Sequence, residues 1–125
     1  MRPAKNTLTD QELEIMKAIW ALDRPATVRD VYESLLRQRK VAYTTVMTMM
    51  NILESKGYLK KNQEDKAYIY RPAQTKSKVV HGMVREFVNR VFNGSAEPLL
   101  MHLVEEEGLT EEEIARIARM ARKPK

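Results

Sequence analysis

Apolar residues recur at helical spacing up to Lys56 and again from Lys76, and only the stretch between them breaks that period. In that stretch, Tyr58-Leu59-Lys60-Lys61-Asn62 and Ala67-Tyr68-Ile69-Tyr70-Arg71 flank a polar turn at Gln63-Glu64-Asp65-Lys66, and Pro72 follows. Tyrosines and aliphatic residues on either side of a short charged turn predict a β-hairpin.

Three helices are predicted ahead of it. Thr9-Asp10-Gln11-Glu12 is a capping box, followed by a stripe of Leu13, Ile15, Met16, Ile19 and Trp20 that stops at Asp23-Arg24-Pro25. Thr27 restarts the pattern, with Asp30 three residues on and Val28, Val31, Tyr32, Leu35 and Leu36 in the second stripe, which ends near Arg39-Lys40. The third helix runs from about Tyr43 to Lys56 and is stopped by Gly57. Val46, Met50 and Leu53 fall on its core face, flanked by Met49 and Ile52, while Thr44, Thr45, Thr48 and Asn51 occupy the opposite face. β-Branched threonines are poor choices for an ordinary solvated helix face, so that face serves something other than water. Three helices and a hairpin within about 65 residues follow the order of a winged helix-turn-helix.

The remaining chain predicts three more helices. Val79, Val80, Met83, Val84, Phe87, Val88, Val91 and Phe92 form a wide apolar band closed by Asn93-Gly94. Pro98 opens the next helix, with Leu99, Leu100, Leu103 and Val104, ending at Gly108. Thr110-Glu111-Glu112-Glu113 is a further capping box, before Ile114, Ile117, Ala118 and Met120. Three short helices cannot enclose this much apolar surface alone. The expectation is an obligate two-fold dimer, with Val80, Met83, Val84, Phe87, Val91, Leu99, Leu100, Leu103, Ile114 and Ile117 at the interface. The fold class is therefore mainly α with a small β-hairpin: a winged helix-turn-helix over 1–73 and a three-helix dimerisation domain over 74–125.

Composition narrows the function. The 125 residues carry a net charge of +5, and residues 1–72 hold 13 Lys and Arg against 9 Asp and Glu. Most of the positive excess thus sits in the first part, as suits a surface facing a polyanion. No cysteine is present, so no disulfide, thiolate metal site or cysteine nucleophile is expected. Four glycines leave no room for a glycine-rich phosphate loop. His81 and His102 are the only histidines, and His102 with Glu106 offers two ligands where a metal site needs more. No Ser/His/Asp arrangement is visible. Neither a cofactor nor an enzyme is expected. No apolar run could span a membrane, and the Met1–Thr7 start lacks a signal-peptide segment, which makes the cytoplasm the expected location.

In the helix-turn-helix reading, the third helix enters the major groove of double-stranded DNA by its N-terminal end. Thr44, Thr45 and Thr48 then meet base edges or phosphates, and Tyr43 donates to a phosphate. Lys60, Lys61, Lys66 and Arg71 on the wing, with Arg39 and Lys40 before the recognition helix, contact the backbone. Two other readings use the same residues: a winged-helix module binding an acidic protein, and a repressor gated by a small ligand in the dimer interface.

Several runs together resemble the penicillinase-repressor (BlaI/MecI/CopY) family. They are Leu8–Met16, Ile19-Trp20, Pro25–Val31, Ala42–Met50 through Leu53, Lys56-Gly57, Tyr58-Leu59 and Ala67–Pro72. The likeness is strong over 8–72 and looser over 76–122. It implies a homodimeric repressor that sits on a dyad-symmetric operator, with Thr44, Thr45, Met47 and Thr48 on the recognition surface. Where some members carry Lys and Arg, this chain has Thr44 and Met47, which implies a different operator preference. In β-lactam-responsive members, a membrane sensor with metalloprotease activity triggers cleavage of an Asn-Phe bond in the dimerisation domain. The corresponding bond here is His102-Leu103. The copper-responsive branch uses a C-terminal cysteine motif that this chain lacks, so copper sensing by that route is not expected.

Overall fold

The computed structural model describes residues 7–122 and contains, in order, α1 (Asp10–Leu22), α2 (Val28–Leu36), α3 (Tyr43–Ser55), β1 (Leu59–Glu64), β2 (Ala67–Pro72), α4 (Lys76–Phe92), α5 (Glu97–Glu107) and α6 (Glu111–Arg122). The start at Met1–Asn6, on which the expected location rests, lies outside the described residues.

The first three helices form as their caps dictate. Thr9 and Glu12 make a reciprocal capping box at α1, and Thr27 and Asp30 make another at α2. Each box satisfies two backbone N–H groups at the helix start that have no intrahelical partner. The stripes then meet: Ile15, Met16 and Ile19 of α1, Val31 and Leu35 of α2, and Val46, Met50 and Leu53 of α3 are all buried. Complete burial of side chains this size stabilises by about 1.5–3 kcal/mol each, which makes this cluster the main support of the head.

The hairpin closes the core from one side. β1 and β2 pair antiparallel from Leu59↔Pro72 to Glu64↔Ala67. Tyr58, Leu59 and Tyr70 turn inward. The strands run further than the sequence predicts, because Gln63 and Glu64 are paired and only Asp65-Lys66 turns. Asp65 adopts φ 55°, a left-handed conformation that aspartate tolerates better than most residues.

Two further departures have physical reasons. α2 stops at Leu36 rather than near Arg39-Lys40, since its apolar stripe is spent there and the Gln38 and Arg39 amides both donate to Leu35 O. Ala26, part of a predicted loop, instead bridges β2 through reciprocal bonds with Tyr70 of 3.0 and 2.7 Å. Ala26 is fully buried at this bridge, where so small a side chain has little exposure to lose. The exit of the hairpin is also held, by Ala73 N to Tyr58 O (2.8 Å) and Trp20 Nε1 to Gln74 O (3.2 Å). This head is a winged helix-turn-helix.

The described residues divide into two compact units, one ending at His81 and the other beginning at Gly82, so the first turn of α4 belongs with the head and buries Val79 there. In the second unit no described side chain from 82 to 121 is buried. Val84, Val91 and Ile117 are about half exposed, and Val80, on the last turn of the head's share of α4, is 39 % exposed. Phe87, Leu100 and Leu103 are exposed, while Met83, Leu99 and Ile114 are intermediate. Phe92 packs edge-on against Phe87 (5.8 Å between ring centroids) and lies 6.0 Å from His102. α5 ends at Gly108 in the left-handed conformation (φ 74°), where glycine carries no steric penalty. Thr110 and Glu113 cap α6. Among the described residues, no helix is long and apolar enough to cross a membrane.

Candidate nucleic-acid interface

The start of α3 differs from those of α1 and α2. Its N-cap is Ala42, which makes no side-chain cap bond, and no acidic residue stands in its first turn. Its first N–H groups therefore point outward unfilled by any side chain, with the positive end of the helix dipole behind them. Such a terminus attracts an anionic partner.

Around it, Thr44, Thr45 and Thr48 are exposed, and Met47 beside them is 39 % exposed. Tyr43 stands at the helix start with its ring edge-on to Tyr32 (5.3 Å between centroids) and the Arg29 guanidinium 5.9 Å above it. Arg29 is a cation of this surface that sequence reasoning missed. Its neighbour Tyr43 is 14 residues away, on another helix, so no local spacing reveals the contact.

The wing supplies the opposite wall. Lys66 lines it and is exposed, whereas exposed Lys60 and intermediate Arg71, paired across the hairpin, lie on the strand face opposite Lys61 and Tyr70. With the Asn62 amide oriented to suit its neighbours, its oxygen accepts from Arg71 Nη1 (3.2 Å) and its nitrogen donates to Lys61 O (3.0 Å). Between α3 and the wing lies an open cleft of about 560 Å³, lined among others by Arg29, Tyr43, Met47, Asn51, Lys61 and Tyr68. Lys61 Nζ lies 4.7 Å from the Tyr68 ring centroid and donates to Asn51 Oδ1 at 3.1 Å. The Tyr70 hydroxyl donates to the same oxygen at 3.0 Å. Burial, with Glu54 nearby, holds the Tyr70 phenol above its ordinary value, so it is protonated at neutral pH.

The predicted contact residues thus fall into two groups. Tyr43, Thr44, Thr45, Met47, Thr48, Lys40, Lys60 and Lys66 are exposed. Asn51, Lys61, Arg71 and Arg39 are instead engaged with other protein groups. Arg39 donates through Nε and Nη2 to the Glu14 carboxylate and through Nη1 to Lys40 O. The Arg39 hydrogen bonds hold the Glu14 carboxyl below its usual range. The Thr27 backbone amide does the same for Asp30, assisted by Arg24. The His102-Leu103 bond lies within α5, in regular helix.

Chemically, the surface offers hydroxyls, amides and cations. Among the described residues, no group of three or more His, Cys, Asp or Glu side chains is arranged to hold a metal ion.

Comparison with known proteins bears on this surface. The family model described as penicillinase repressor matches residues 8–123. The transcriptional regulator BlaI of Mycobacterium tuberculosis is 36% identical over 112 residues, covering 89% of this chain and 81% of the relative. The penicillinase repressor of Bacillus licheniformis is 30% identical over 107 residues, 86% of this chain and 83% of that protein. Among solved structures, the DNA binding domain of the repressor BlaI superposes with a TM-score of 0.51 at 28% identity, covering 62% of this chain and 92% of that one.

Proposed function

The chain belongs to the penicillinase repressor family, and from that premise we propose that it is a homodimeric transcriptional repressor that binds a dyad-symmetric operator in double-stranded DNA. The observation that carries this reading is the α3 surface: an uncapped helix start and three exposed threonines, beside a cleft that Arg29, Lys61 and Lys66 line. Hydroxyls and the Met47 side chain read base edges in the major groove. Lys40, Lys60 and Lys66 supply the salt-dependent attraction to phosphates. The DNA-binding head comprises the predicted 1–73 together with the first turn of α4, and the tail pairs the subunits.

The tail supports the dimeric part of the reading. Its apolar residues lack a core within one chain, and a second copy is the simplest cover for them. Pairing holds two recognition helices a whole number of DNA turns apart, and a bound dimer excludes polymerase from the promoter. Release by proteolysis at His102-Leu103, triggered by a membrane sensor, requires α5 to open locally, because a bond in regular helix does not fit an extended protease cleft. The repressor itself needs no membrane insertion and acts in the cytoplasm, where its operator lies.

Footprinting on the promoter of its own gene tests the proposal. Two symmetric protected half-sites are expected, centred about 34 Å or a multiple apart along the duplex. A single undivided footprint, or none, would refute it.

A further inference from the structure

An asparagine on a recognition helix ordinarily pairs with adenine. Its carbonyl oxygen accepts from the adenine N6 amino group while its amide nitrogen donates to N7. In this chain the carbonyl is already occupied. Asn51 Oδ1 lies 3.1 Å from Lys61 Nζ and 3.0 Å from the Tyr70 hydroxyl. An ammonium group has donors only, so the Asn51 atom facing it must be the oxygen, and Tyr70 must then donate as well. The orientation of the amide is thereby settled by chemistry. Both lone pairs of Oδ1 are spent, and the nitrogen with its two hydrogens lies on the other branch of the amide, in a residue that lines the cleft between α3 and the wing.

The clamp is also stiff. Tyr70 is buried, and its backbone is fixed to Ala26 by two hydrogen bonds. Lys61 is held over the Tyr68 ring. Freeing Oδ1 for a base would break its bonds to the buried Tyr70 and to Lys61 together, two hydrogen bonds lost for one gained.

Resting on the DNA-binding reading above, we infer that Asn51 is a donor-only specificity determinant, set by the wing residues Lys61 and Tyr70 to meet an acceptor on the duplex and barred from the bidentate adenine pair. The acceptor is a guanine N7 or O6 or a thymine O4; adenine offers such a donor its N7 alone, beside an amino group that Asn51 has no acceptor left to satisfy. The wing therefore contributes to sequence preference without touching a base at that position.

The test is selection from a pool of random duplexes with the full chain, with Asn51→Ala, and with the double variant Lys61→Met/Tyr70→Phe, each checked for folding by circular dichroism. At one position the wild type is expected to prefer guanine or thymine. Asn51→Ala then loses that preference, with about a tenfold weaker affinity for the preferred site. The double variant, with its Oδ1 released, newly accepts adenine there, which a merely structural defect would not produce. If Asn51→Ala instead weakens all selected duplexes equally, Asn51 meets a phosphate and its role in specificity is overturned. The inference is overturned if the preference lost by Asn51→Ala is for adenine, or if Asn51→Ala binds as the wild type does. If the wild type selects no sequence, the DNA-binding reading itself falls, and this inference with it.

Discussion

The Arg39 guanidinium clasps the Glu14 carboxylate, with Nη2 at 2.7 Å and Nε at 3.0 Å, and its remaining arm donates to Lys40 O at 3.2 Å. This joins α1 to the turn that enters the recognition helix, so an arginine suited by position to phosphate contact serves to hold the helix-turn-helix angle. Its charge is cancelled locally. Replacing the pair together, Glu14→Ala with Arg39→Ala, should leave the slope of log K against log salt unchanged. Lys60→Ala should reduce that slope by about 0.9. Fluorescence anisotropy over a salt series checks both.

Thr48 and Lys60 are both exposed, and the proposed DNA contact uses them for different chemistry. Thr48→Ala is expected to weaken binding to the selected operator about fivefold while leaving random DNA nearly untouched. Lys60→Ala should weaken both alike. Competition titrations with operator and random duplex separate the two outcomes.

Lys56 Nζ donates to Glu12 Oε1 at 2.8 Å and to Thr7 O at 3.1 Å, tying the end of α3 to the start of α1. Burial pushes the Glu12 carboxyl up, but the Lys56 ammonium and the Thr9 amide and hydroxyl outweigh it, and the net direction is down. A depressed carboxyl contributes stability above its unfolded value of about 4.3, and that contribution is lost as pH falls through the lower folded value. Glu12→Gln should therefore cost about 2 kcal/mol at neutral pH. The gap from wild type should close in strong acid. Urea midpoints measured down a pH series give the answer.

Val79 belongs to the head, as do the Trp20–Gln74 and Ala73–Tyr58 bonds. A chain ending after His81 should thus melt several degrees above one ending after Pro72, by calorimetry. The 1–81 chain should bind the operator at least a hundredfold more weakly than the full chain, because it cannot engage two half-sites at once. Equal affinity would remove the dimer from the mechanism.

Phe87→Asp places a charge on the exposed apolar band of α4 without touching the head. Sedimentation should then show a monomer at concentrations where the wild type is paired, with operator affinity falling in parallel.

Much of the head was legible from local rules. Caps at Thr9 and Thr27, stops at Pro25 and Gly57, and stripes at helical spacing mark the helices because each signal acts within a few residues. Ala26 was not legible, since its partner Tyr70 lies 44 positions further on and nothing in Pro-Ala-Thr announces a bridge. Nor was the engagement of Asn51: a polar residue on a recognition face looks the same whether or not its oxygen is already taken.

The sequence by itself determined where helix and hairpin lie, which face of α3 carries hydroxyls, and that the tail bears more apolar surface than it can bury. These follow from periodicity and capping, which are local. Only the tertiary structure decided which of the basic and polar residues stay free. Arg39 is neutralised by Glu14, and Lys61 and Asn51 are bound to each other, because packing α1 against the α2–α3 turn and β1 against α3 brings those pairs within hydrogen-bond reach. Charge counts along the chain cannot tell a cation that waits for phosphate from one that already holds the fold together.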